Sequence, residues 1–115
     1  MLLVLSAIVM ALTALLHSIV GERRLIGPLL DLNAGVMRVP LARQVLRFAW
    51  HLTSVLMIAC AFAVAWPGTP REVIVAVGVA WLGCGLFDAV YTRGKHLGWP
   101  FLAAAGVLAL LDSAI

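Results

Sequence analysis

Charge is what this chain has least of. Eight Lys or Arg and five Asp or Glu make up 11% of its 115 residues, against 64% hydrophobic. Soluble domains carry about 25% charged and about 45–50% apolar residues, so a soluble protein of this composition could not cover its own surface. Cysteine is also scarce. Cys60 and Cys84 lie inside apolar stretches, one near a segment end and one nearer the middle, with no CxxC and no Cys/His spacing of a metal motif. A disulfide framework is therefore not expected, and both are read as small packing residues. Also missing are GxSxG, a P-loop, GxGxxG and HExxH, which leaves soluble catalysis without support. No strip of interleaved aromatic and basic residues accompanies the net charge of +3, which argues against nucleic acid as a partner. Internal repeats and low-complexity tracts are absent.

What remains is four apolar segments, at about 2–24, 41–66, 72–92 and 99–112, each near the roughly 20 residues that a bilayer core requires. No Lys or Arg precedes the run from Leu2 to Leu16, and no small-x-small cleavage site stands before His17. The first segment thus reads as a retained span and not as a signal peptide. In lipid every backbone polar group must be paired internally, and these segments are too long and too uniformly apolar for barrel strands. The sequence therefore predicts one all-α domain, an integral membrane four-helix bundle, with the lipid bilayer as its solvent.

Basic residues give the expected orientation. Arg23, Arg24, Arg38, Arg43 and Arg47 flank the first connection, Arg93 and Lys95 the third, and Arg71 alone the second. Seven against one predicts cytoplasmic first and third connections and both termini outside, as in a bacterial inner membrane. The short second and third connections predict antiparallel neighbours. The first connection, 25–40, is long and apolar; Pro28 to Ala34 reads as a short helix lying in the interface or beneath the bundle, after a first helix that stops at Gly27-Pro28. Gly78, Gly83, Gly85, Ala103, Ala104, Ala105 and Gly106 predict tight packing between the third and fourth spans, or a homo-oligomer interface built on them. Trp66 and Trp99, at segment ends, fit an interfacial aromatic belt.

Ionisable groups inside spans are costly in lipid and point to function. Counting from each segment's basic boundary at 1.5 Å per residue, His17 lies about 10 Å deep, His51 about 12 Å and Asp88 about 8 Å. Arg43, Arg47, His51 and Ser54 fall on one helical face, as do Ser6, Thr13, His17 and Arg24. Asp88 shares a face with Tyr91 and Thr92. Glu22 matches the depth of Arg47 and predicts an ion pair with it.

His17, His51 and Asp88 are accordingly the candidate ligands of a polar pocket on the cytoplasmic side. Glu22, Arg47, Ser54, Tyr91 and Thr92 would surround them, with His96 as a further ligand or an anionic-lipid contact. Two histidines and a carboxylate suit iron or zinc. His17 and His51 on antiparallel helices also suit axial ligation of a haem. A third reading is proton-coupled transport, with Asp88 or Glu22 titrating and histidine relaying. A fourth is a hydrogen-bonded network that only fixes helix packing. In length and span count the chain resembles the small multidrug resistance transporters, which act as dimers. That family carries a glutamate in the middle of its first helix; Met10 to Leu16 here holds no acid, so the sequence departs from the family at its defining residue.

Overall fold

Prolines punctuate the chain and the helices begin where they stand. The computed structural model describes residues 1–115 and contains helices and turns without a strand. Helix α1 spans Leu2–Gly21, α2 Gly27–Asp31, α3 Pro40–Ala65, α4 Arg71–Tyr91 and α5 Trp99–Ala114. Pro40 and Pro100 occupy the first turns of α3 and α5, where the missing amide proton has no acceptor to lose. Pro70 caps the start of α4.

Pro28 behaves differently from expectation. The helix does not stop at Gly27-Pro28 but runs on without a break from Leu2 to Asp31, through a π-helical turn at Glu22–Ile26. In a regular α-helix the Pro28 ring would strike the carbonyl four residues earlier. The wider turn just before it, with Gly27 N–H bonded back to Glu22 O, removes that conflict and keeps the helix continuous. A Cβ at position 27 would lie 2.9 Å from that same oxygen, so the tight side of the turn needs glycine. After Asp31 the chain reverses through Asn33, at φ 46°, and a short 3-10 turn at Gly35–Arg38. Ile26 and Leu30 are almost fully buried, so the start of the first connection is tucked against the helices, whereas Leu32, Val36 and Val39 further along are exposed.

The helices pack in the order α3, α1, α5, α4. Contact is most extensive between α4 and α5, then α1 with α3 and α1 with α5, whereas α3 and α4 barely meet. The expected pairing of the second and third spans as close neighbours is thus corrected. Helix α5 takes the place beside α4 because glycines remove the side chains between them. A Cβ on Gly85 would sit 2.6 Å from Ala103 N, and one on Gly106 would sit 2.6 Å from Gly78 O. Gly83 meets nothing within 4 Å. Helix α5 is fastened to α1 in turn by Ser6, whose Oγ donates to Ala105 O at 2.7 Å. The result is a flattened, open bundle measuring 52 × 31 × 19 Å.

Its core is thin. Ala7, Met10, Ala61, Val64, Trp81 and Ala105 form the one cluster of buried apolar residues, and only 17 of 115 residues are buried. Leu12, Phe48, Leu56, Phe62, Val79 and Phe87 are each more than half exposed, an apolar surface that soluble monomers do not present. Leu2–Asp31, Pro40–Ala65 and Arg71–Tyr91 are long and apolar enough to cross a membrane. Helix α5, with 16 residues, is about 24 Å long at 1.5 Å per residue, a little short of the roughly 30 Å of a hydrocarbon core.

Candidate functional site

Helices α1 and α3 run antiparallel, so residues four apart on one oppose residues four apart on the other. Ser18 and Glu22 face Arg47, His51 and Ser54. Glu22 Oε1 lies 2.7 Å from Arg47 Nη2, and Glu22 Oε2 lies 2.9 Å from His51 Nε2. The other imidazole nitrogen, Nδ1, lies 2.9 Å from Ser18 Oγ, which is 2.6 Å from Ser54 Oγ. Arg47, Glu22, His51, Ser18 and Ser54 thus form one unbroken hydrogen-bonded chain. It starts at half-exposed Arg47 and ends at buried Ser54. The ion pair expected between Glu22 and Arg47 is present.

Ser18 is the member that sequence reasoning missed. Depth along α1 points to His17, but His17 and Glu22 are five residues apart, a spacing that turns the two side chains about 140° from one another. The usable signal was one residue over: Ser18 and Glu22 are four apart, matching the Arg47–His51 spacing on the opposite helix.

His17 does something else. Its ring stacks on Trp50 with centroids 4.3 Å apart and planes 10° apart. Its Nε2–H donates to Trp50 O at 3.2 Å, and Trp50 Nε1–H donates back to His17 O at 2.9 Å. The indole lies across Gly21, where any Cβ would collide with it. This reciprocal pair is a latch between α1 and α3.

Asp88 joins neither histidine. Its Oδ2 lies 2.5 Å from His96 Nδ1, while Thr92 Oγ1 donates to Asp88 O at 2.7 Å and accepts from His96 N–H at 3.3 Å. These three residues close the end of α4, where Gly94 N–H reaches Ala89 O and Arg93 N–H reaches Val90 O. That is the Schellman pattern, here with Arg93 in the left-handed conformation at φ 54° in the position that favours glycine. Tyr91 stacks on Phe87 and points outward, 78% exposed. The expected grouping of His17, His51 and Asp88 is therefore divided, because α5 separates α4 from the α1–α3 pair.

The division decides which chemistry the residues suit. No three His, Cys, Asp or Glu side chains converge where a metal ion could be held. Haem ligation takes one nitrogen of each imidazole, so His51 would have to give up Glu22 or Ser18, and His17 has its ring face covered by the Trp50 indole and its Nε2 bonded to Trp50 O. Serine, histidine and glutamate in series resemble a nucleophilic triad. However, Ser18 lies inside α1, whose backbone amides are committed to the helix ladder, so none can stabilise an oxyanion there. What the chain of groups can do is bind a proton and pass it along. Comparison with protein-family models, with curated proteins and with solved structures gives no match.

Proposed function

We propose that this is a small integral membrane protein of proton-coupled type, in which Glu22 and His51 form the proton-binding pair. The orientation that fits is both termini outside and the first and third connections cytoplasmic, in a bacterial inner membrane. Seven of eight basic residues lie in or beside those two connections, which supports it. The observation that carries the function is the continuous chain from Glu22 through His51 and Ser18 to Ser54.

The chain satisfies its own hydrogen bonds in two protonation states. With His51 neutral, Nε2–H donates to the Glu22 carboxylate and Nδ1 accepts from the Ser18 hydroxyl, whose oxygen accepts from Ser54. With His51 protonated, Nδ1–H donates to Ser18, and Ser18 donates to Ser54. Rotation of two hydroxyls accommodates the change, because each is both donor and acceptor. Above Ser54 the route ends. Met10 and Ala14 are buried there, and Thr13 Oγ1 is bonded to Val9 O of its own helix. A dead-ended chain takes up and returns protons at one face, where a conducting wire would continue; coupling would then require that site to be exposed alternately to the two sides of the membrane.

The test is a pH titration of the full chain in lipid bilayers, following the His51 ring by NMR and the Glu22 carboxylate by infrared difference spectroscopy. The proposal expects Glu22→Gln to move the His51 transition, and Ser18→Ala to change the His51 signal without abolishing folding. A His51 ring that does not titrate between pH 4 and 9, roughly the range around a free imidazole, would leave the residues as packing elements and sink the proposal.

A further inference from the structure

At the same end of the molecule, Leu30, Pro40, Arg43, Gln44, Arg47 and Phe48 line an open depression of about 440 Å³. Arg43 and Arg47 stand one turn apart on α3 and both face into it. Each is held by part of its guanidinium only. Arg43 Nη1 donates to Leu30 O at 2.6 Å and Met37 O at 3.3 Å, and Arg47 Nη2 pairs with Glu22. A guanidinium has five N–H donors in a fixed plane, so both keep donors free while their positions are fixed in advance. Gln44, between them, makes no side-chain hydrogen bond within the chain. Carbonyl oxygens do not cancel the charge of Arg43, and Glu22 cancels one of the two cations. The depression is therefore left with one positive charge and a set of oriented donors. Directly above it on α3, Phe48, Leu52 and Val55 form an exposed apolar stripe, at the spacing of one helical face.

We propose that this depression binds the phosphodiester headgroup of an anionic phospholipid, with an acyl chain lying along Phe48, Leu52 and Val55. One net positive charge matches one phosphodiester, and planar guanidinium groups match phosphate oxygens in pairs. The apolar stripe favours a lipid over free phosphate, because a soluble anion has nothing to place against it. The inference rests on the membrane placement proposed above but not on the proton-binding pair. Arg47 touches both, since it also holds Glu22.

The experiment uses the full chain in nanodiscs of phosphatidylcholine with and without phosphatidylglycerol, followed by native mass spectrometry to count retained lipids. One phosphatidylglycerol should remain on each chain. Gln44→Glu, which breaks no contact in the fold, should weaken retention roughly fivefold for the one charge added. Arg43→Lys should weaken it as well, since an ammonium cannot pair with two phosphate oxygens in a plane. Arg93→Gln, at the same membrane face but beside α4, which barely meets α3, should leave it unchanged. Equal retention of both lipids, or retention indifferent to Gln44→Glu, would overturn the proposal. So would displacement of phosphatidylglycerol by millimolar inorganic phosphate, which would mark a free-phosphate site. Failure of the chain to enter phosphatidylcholine nanodiscs would instead refute the membrane placement itself.

Discussion

Two interfaces hold this molecule together by opposite means. Between α4 and α5 the contact is made by absence, with Gly78, Gly85 and Gly106 letting backbones approach until a single added carbon would strike Ala103 N or Gly78 O. No side-chain hydrogen bond joins these two helices in the region of the glycines. Between α1 and α3 the contact is made by polar groups: the His17–Trp50 latch and the chain from Arg47 to Ser54. In the lipid placement proposed above there is no hydrophobic drive between helices, so both means are open, close dispersion contact in one case and hydrogen bonding in the other. They differ in what they can respond to. The glycine seam has nothing that titrates. The polar seam holds a carboxylate and imidazoles in hydrogen-bonded contact, which is why the proposed function is placed there.

The comparison can be broken hardest at the glycine seam. Gly85→Leu should destabilise the fold by about 3 kcal/mol, because the obstruction is backbone and cannot move aside. Gly83→Leu, two residues away and facing open space, should stay within about 0.5 kcal/mol of the native chain. Thermal unfolding in one detergent reads both, and equal effects would refute the assigned seam. At the polar seam, Gly21→Val should cost about 2 kcal/mol by pushing the Trp50 indole off α1. It should also shift the NMR signals of the His17 ring, which stacks on Trp50, whereas Gly85→Leu should not.

Smaller changes sharpen the contrast. Arg93→Gly should raise stability by about 1 kcal/mol, by relieving the left-handed residue at the end of α4. Its effect should be the same in chains with and without Ser18→Ala, since the two sites share no partner. Ser18→Ala itself should lower stability by only about 0.6 kcal/mol, the average for a hydrogen bond between membrane helices, while changing the pH response of His51. A large stability loss with an unaltered titration would mean that Ser18 only packs.

Most helices were legible in the residues. Long apolar runs bounded by proline and arginine locate α1, α3, α4 and α5 to within a residue or two at most ends, since composition and proline chemistry act locally. The break at Gly27-Pro28 was misread, because a π-turn that spares the helix depends on where one carbonyl points and leaves no clear mark in sequence. The polar stripe Arg47, His51 and Ser54 was readable from its spacing. That Arg43, on the same face, bonds Leu30 O and Met37 O and takes no part in the Glu22 chain was not, because those carbonyls come from a connection whose path is set by the buried Ile26 and Leu30.

The sequence by itself determined that the protein is helical, that its surface is apolar and that its basic residues gather at one end; these follow from composition and from periodicity along a single helix. Tertiary structure alone decided the order of the helices. With α5 seated between α4 and α1, Asp88 is drawn to His96 and Glu22 is left to His51. Depth along a helix can be counted from residues, but which helix stands opposite depends on the close fit of glycine faces. That fit is a property of two surfaces together and is written in neither strand of sequence alone.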